Sequence, residues 1–397
     1  MSIVMRMDNR KRQQIQALHY RTGEPILIDI QRGVLAAITS VQLDEEAKRA
    51  LPIVAPGLVD LQINGFAGID FNDIPFTEAS ISKVIELLWR EGVTSFCPTI
   101  ITNSAEAIEQ AVATIDRVCQ GDPLAAQCIV GIHLEGPFIS PEDGAKGAHD
   151  KAYIRPPDWE LFCRWQAASG QRIRILTLSP EWPCSAEFIS RCTASGVMVS
   201  IGHTAATTEQ IQLAVESGAR MSTHLGNGTH LTLPRHPNYM WEQLAQDQLA
   251  SCLIADGFHL PDQVLKVVMK VKGPKAILVS DAVAICGLPA GTYTTHVGGE
   301  VVLTPEGRLH LAQNEQLLAG SAQLQRWGIE HLTSRGLATL ADAWEMASTR
   351  PAACMDFPIK EGVEAHAPAD LVLFRREAHR IIVEMTYKAG ECVYQRD

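Results

Sequence analysis

The chain has 397 residues, 46% of them apolar and 20% charged, with a formal net charge of −11. That is enough chain and apolar content for one large core plus a smaller one. The acidic balance argues against a nucleic-acid or anionic-membrane partner, and no apolar run is long enough to span a bilayer.

The first residues, "MSIVMRMDNRKRQQ", contain no apolar stretch of leader type. The ten cysteines are scattered without a C-x-x-C pair, which reads as reduced thiols of a cytoplasmic protein. Residues 1–52 alternate like strands, as in "PILIDIQRGVLAAI". From residue 53 a different texture begins. Eight short runs rich in Ile, Val and Leu read as buried parallel strands: "IVAPGLVDLQI", "GVTSFCPTI", "CIVGIHLEG", "RIRILTLSP", "GVMVSIGHT", "ARMSTHL", "ASCLIADG" and "KAILVSDAV".

Amphipathic helices fall between most of these runs. After Thr77, the residues Ile81, Val84, Ile85 and Leu88 hold helical spacing, and Gly92 stops the helix. After Ser104 the same spacing recurs at Ile108, Ala111, Val112 and Ile115. Thr207 with Gln210 reads as a capping box for a helix that Gly218 ends. Pro261 opens a helix with Val264, Val267, Val268 and Val271 as its apolar stripe. The helix before "RIRILTLSP" is the least distinct, in a stretch rich in Arg, Trp and Pro.

Eight such units predict an α/β fold, a (β/α)8 barrel over residues 53–356. An open doubly wound sheet would need a glycine-rich phosphate loop after its first strand, and neither G-x-G-x-x-G nor a P-loop lysine is present. A hairpin-like insert is expected around 290–312, in "GTYTTHVGGEVVLTPEGRLHL", and helices from about 322 to 355 close the barrel. Residues 357–397 alternate again and pair with 1–52 in a small β-sandwich.

In this architecture chemistry collects at the C-terminal ends of the strands. Those ends carry Gln62 and Asn64, His133 and Glu135, His203, His224, His259 and Asp281. A single histidine there is as readily a core hydrogen-bonding group, but five of eight strands ending in imidazole or carboxylate point to a shared site. His203 and His224 lie 21 residues apart. A helix over 207–217 descends roughly 16 Å and the strand over 219–224 returns roughly 17 Å, so both histidines reach one level. With Glu135 they make a two-histidine, one-carboxylate set suited to hydrolytic Zn²⁺, or to Fe²⁺. In "MSTHLGNGTH", His230 lies past a Gly-Asn-Gly turn and cannot share that geometry.

The runs "PGLVDLQINGFAG", "GIHLEGPF", "SIGHT", "THL.N", "IADGFH", "LVSDA" and "LAGS" occur in this order. They resemble the N-acetylglucosamine-6-phosphate deacetylases of the amidohydrolase superfamily. The resemblance implies one metal held by Glu135, His203 and His224. It implies Asp281 as the carboxylate that takes a proton from the attacking water and returns it to the leaving amine. His149 in "KGAHD" would polarise the acetyl carbonyl, and Asn227, Arg235 and His259 would touch the sugar phosphate. Gln62, Ala148, Gly228 and the run Leu318, Ala319, Gly320 complete the implied substrate-binding set, and a homodimer is implied as well.

Two departures stand out. Where the family has an aromatic, Asn, Ala and Met, this chain has Gly226, Asn227, Gly228 and Thr229, then His230, and "LPRHPNYMWEQLAQD" also differs. This leaves two further readings: an amide hydrolase acting on another N-acyl amine, perhaps unphosphorylated, and a non-catalytic sugar-phosphate binder, against which the intact Asp281 argues. Where many amidohydrolases carry His-x-His, this chain has Gln62-Ile63-Asn64. Amides are poor ligands for a buried divalent cation, so a single metal is expected; both residues are otherwise core hydrogen-bonding groups. His236, His296, His310, His331, His366 and His379 read as surface or structural, and Trp241 as loop packing or a subunit contact.

Overall fold

The structure is a computed structural model that describes residues 12–397. The opening segment that was read for a leader lies largely outside the described residues, as does the start of the first terminal stretch.

Eight parallel strands form the barrel: β1 (Leu58–Ile63), β2 (Val93–Ile101), β3 (Ile132–Glu135), β4 (Ile173–Leu178), β5 (Met198–Ile201), β6 (Met221–Ser222), β7 (Ala250–Leu253) and β8 (Ala276–Leu278). Neighbours in the chain are neighbours in the sheet, as right-handed βα units require. A parallel bridge between Ile63 and Ala282, with Asp281 N–H donating to Gln62 O at 2.9 Å, closes the ring. Val59, Leu61, Cys97, Ile175, Met221, Cys252, Ile277 and Val279 fill it, and Met355, Phe357 and Ile359 plug the end where β1 begins. The other face of the strands packs Ile63, Ile100, Leu134, Leu176, Ile201 and Leu253 against the helices.

Local chemistry sets the helix ends as expected. Thr77 accepts from Ser80 N–H, Ser104 from Ala107 N–H, and Thr207 with Gln210 forms the full capping box. The indistinct helix is present at Trp159–Ala168. In the helix Asp262–Lys272 the expected stripe holds at Val264 and Val268, which pack on the core, and fails at its other two positions. Leu265 and Val268 are buried while Val267 and Val271 are about half exposed. The buried face runs through Leu265, Val268 and Lys272, so it is rotated around the helix from the valine stripe and shares only one edge with it.

The chain ends make one seven-stranded sheet. Ile53–Pro56, read as the start of the first barrel strand, belongs to this sheet instead, pairing with Leu18–His19 and with Leu371–Phe374. Gly57 divides the run: a Cβ there would lie 2.1 Å from Thr94 Oγ1. The insert is larger than a hairpin. Gly291–Thr295, Gly299–Leu303, Leu309–Leu311 and Asn314–Leu318 form a four-stranded antiparallel sheet around Ile285, Val301, Leu303 and Leu309.

Lys388 joins the two sheets. Its Nζ donates to Asp370 at 2.7 Å and to Ser95 on β2 at 3.1 Å, and all three residues are buried. Lys388→Ala leaves the Asp370 carboxylate buried without its partner, so urea unfolding should show a loss of about 3–5 kcal/mol. A loss under about 1 kcal/mol would mean water reaches the pair.

Candidate active site

The site lies at the C-terminal mouth of the barrel. His203 and His224 follow β5 and β6, and Asp281 follows β8. All three adopt left-handed backbone conformations, with φ of 48°, 27° and 48°. Such angles are unfavourable for residues with a Cβ and collect where side-chain placement is overdetermined by the surroundings. Here each turn swings a polar side chain back over the barrel axis.

Glu135 Oε1 lies 3.2 Å from His203 Nε2 and 3.0 Å from His224 Nε2, and the two Nε2 atoms are 3.1 Å apart. All three residues are buried. His203 Nδ1 donates to Ala145 O at 2.9 Å, so in the neutral ring the Nε2 lone pair faces the Glu135 oxygen. Lone pairs facing at that range need a proton or a cation between them. Burial opposes ionisation of Glu135, but hydrogen bonds and charge from His203 and His224 outweigh it and hold its carboxyl well below the usual range. Burial likewise disfavours a charged His224, yet Glu135 brings its pKa up to about 9. A cation entering here displaces that proton.

His203 is clamped between two glycines. A Cβ on Gly228 would meet its ring at 2.7 Å and one on Gly147 at 3.2 Å, and both glycines have positive φ. The unusual Gly-Asn-Gly turn therefore lies directly on the imidazole, and Asn227 folds back to donate to His224 O at 3.2 Å.

Asp281 stands beside this cluster. Its Oδ1 accepts from Gln62 Nε2 at 3.0 Å and from Asn64 Nδ2 at 2.7 Å. Burial pushes its carboxyl up to about 6; His224 pulls it down and Glu135 adds to the rise. Gln62 Nε2 also donates to Glu135 Oε1 at 2.9 Å. The two amides thus serve the site's own carboxylates, which is the core hydrogen-bonding role. A register shift of β1 against β2 between Asp60 and Ile63 permits this: Leu61 packs in the barrel core while Gln62, the next residue, also reaches the mouth.

His149 is buried, with Nδ1 2.7 Å from Thr102 Oγ1 and its ring 4.4 Å from that of His203. Burial lowers its pKa to about 3, which keeps it neutral. Its ligating atoms also cluster with those of Glu135 and His203 within 4.8 Å. The shorter mutual distances of Glu135, His203 and His224 favour that trio as the ligand set. Thr102 carried no signal that an eye set for imidazole and carboxylate would catch, although it stands just past the end of β2.

The remaining candidates divide. His259 Nδ1 lies 2.6 Å from Asp256 Oδ2, and its field reaches Asp281. Leu318, Ala319 and Gly320 lead into Ser321, which bridges to Ala282 and so runs along the mouth. Ala148 is exposed beside His149. Arg235 is exposed and makes no hydrogen bond or ion pair among the described residues. His133 is a core group, with Nδ1 3.0 Å from Leu61 O and Nε2 2.7 Å from Thr177 Oγ1. His230 is outside the cluster and bonds Tyr239 and Glu142 instead.

Two imidazoles and a carboxylate converging in a buried mouth suit a divalent metal. Among the described residues, no helix is long and apolar enough to cross a membrane. The sequence profile of the amidohydrolase family matches residues 53–393. N-acetylglucosamine-6-phosphate deacetylase of Mus musculus is 34% identical over 364 residues, 89% of this chain and 86% of that protein. The Bacillus subtilis enzyme of the same name is 34% identical over 334 residues, 83% of this chain and 82% of that one. The crystal structure of N-acetylglucosamine-6-phosphate deacetylase from Thermotoga maritima superposes with a TM-score of 0.82 at 26% identity, covering 97% of this chain and 99% of that one. This chain belongs to the amidohydrolase family, on the branch of the N-acetylglucosamine-6-phosphate deacetylases.

Proposed function

We propose that this chain hydrolyses the acetamide of N-acetylglucosamine 6-phosphate, giving glucosamine 6-phosphate and acetate. The observation that carries the reading is the convergence of Glu135, His203 and His224 within 3.2 Å, with Asp281 joined to Glu135 through Gln62. The sequence likeness to the deacetylases supports the substrate.

Glu135, His203 and His224 would hold one divalent cation, zinc by the preference of this donor set and iron as the alternative. Bound there, the cation supplies Lewis acidity and brings a water's pKa toward neutrality. Gln62 and Asn64 occupy Asp281 Oδ1, which leaves Oδ2 to accept the proton of the attacking water and pass it to the departing amine nitrogen. His149 is neutral. With Nδ1 accepting from the Thr102 hydroxyl, its Nε2–H is the donor for the acetyl oxygen as negative charge develops. The commitment of Gln62 and Asn64 to carboxylates supports one metal rather than two. Asn227, Gly228, His259 and the 318–320 run are the sugar-facing groups in this reading. A homodimer, a cytoplasmic location and a small separate domain built on the seven-stranded sheet of the chain ends accompany it.

A second reading, an unphosphorylated N-acyl amine, rests on the altered 226–240 loop. Acetate release from N-acetylglucosamine with and without the 6-phosphate separates them. The phosphorylated sugar should have the higher kcat/KM. Arg235→Ala should raise KM for it and hardly change the other, since guanidinium binds phosphate in a bidentate fork. Equal turnover of both sugars, with equal effects of the substitution, favours the second reading.

A further inference from the structure

The placement of His203 raises a question that its ligand role does not answer: what holds a histidine at φ 48° in position? The main chain of His203 accepts from Ser140 N–H at 2.9 Å, and its imidazole donates to Ala145 O at 2.9 Å. One loop, running from the end of β3 to His149, therefore grips both ends of the residue. That loop needs its own anchor.

The anchor is one carboxylate. Glu181, just past β4, accepts at Oε1 from Ser140 Oγ at 3.0 Å. At Oε2 it accepts from Ser179 Oγ at 2.7 Å and from Ala205 N–H at 2.9 Å. Ser140 lies on the gripping loop, Ser179 at the end of β4, and Ala205 two residues beyond His203. A single side chain thus ties together the loops after β3, β4 and β5, on both sides of the strained residue. Trp182 adds a bond from Nε1 to Ile139 O at 3.2 Å. Glu181 touches neither Glu135 nor His224.

We infer that Glu181 is a positioning residue that fixes His203, through Ser140 and Ala205, in its metal-binding orientation. The inference rests on the proposed reading that His203 is a metal ligand. Groups that orient a ligand in this way typically account for about 10–100-fold in metal affinity. Glutamine at this position keeps one acceptor oxygen for Ala205 and Ser179, and its NH₂ can donate to the Ser140 hydroxyl, which accepts as well as donates.

The test is titration of Co²⁺ into the metal-stripped full-length protein against a competing chelator, followed by the visible absorption of bound cobalt. Wild type, His203→Ala, Glu181→Ala, Glu181→Gln and Ser140→Ala are compared, with thermal melts of each metal-free form. Glu181→Ala should bind cobalt about 10–100-fold more weakly with shifted bands. Glu181→Gln should return to within a few-fold of wild type. Ser140→Ala, which removes one of the three bonds, should fall between. If wild type and His203→Ala bind alike, the metal reading itself fails. If His203→Ala loses cobalt while a folded Glu181→Ala binds as wild type does, the role of Glu181 is overturned. Should Glu181→Ala not fold, wild-type affinity in Ser140→Ala overturns it equally.

Discussion

Asp281→Asn should retain its fold and its metal and lose turnover by about 10²–10⁴-fold or more, with KM nearly unchanged. The geometry explains why so small a change costs so much. Oδ1 of Asp281 is already engaged by Gln62 at 3.0 Å and Asn64 at 2.7 Å. An asparagine keeps its carbonyl oxygen toward those two donors, and its NH₂ then stands where Oδ2 stood. A proton acceptor becomes a donor at the one atom left free, while packing and charge-neutral hydrogen bonding survive. Burial, which lifts the Asp281 carboxyl to about 6, matches its pKa to taking up and giving back a proton near neutral pH. Steady-state kinetics with metal analysis decides the point. A variant keeping a tenth or more of wild-type kcat would assign the proton to another group.

His224→Ala and His230→Ala should behave oppositely, although both residues sit in one ten-residue stretch. His224 Nε2 is within 3.1 Å of both Glu135 and His203, so its loss removes one of three donors and should abolish tight metal binding and activity. His230 instead accepts the Tyr239 hydroxyl at 3.0 Å through Nδ1 and lies 3.2 Å from Glu142 on its partly exposed edge. Its loss should leave the metal in place. Metal content after dialysis gives the readout. Equal metal loss in the two variants would mean that the loop as a whole, rather than His224, makes the site.

Much of this was legible because the barrel couples two periodicities to one location. Apolar runs mark the strands, and polar residues that end an apolar run have few places to be except the mouth. That logic found Glu135, His203, His224 and Asp281 together. It overreached at His133, which ends a strand run but turns into the core to satisfy Leu61 O. It underreached at Thr102 and Glu181, because hydroxyls and loop carboxylates are common in turns and carry no pattern of their own. The run over 53–63 read as one strand since nothing in hydrophobicity separates Pro56 from Leu58; only the approach of Thr94 to Gly57 does. The insert was underread at its last strand, Asn314–Leu318, which lies beyond the expected 290–312 and has mostly exposed side chains, whereas Leu309–Leu311 falls within those bounds and is largely buried.

One divalent metal, held by Glu135, His203 and His224, should be required for amide hydrolysis by this chain. Stepwise return of Zn²⁺ to chelator-stripped protein, with acetate release from N-acetylglucosamine 6-phosphate measured at each step, tests it most directly. Release should be negligible at zero metal and rise linearly to one equivalent per chain, Gln62 and Asn64 being committed to the carboxylates. A plateau only at two equivalents, or full activity in the stripped protein, would contradict it.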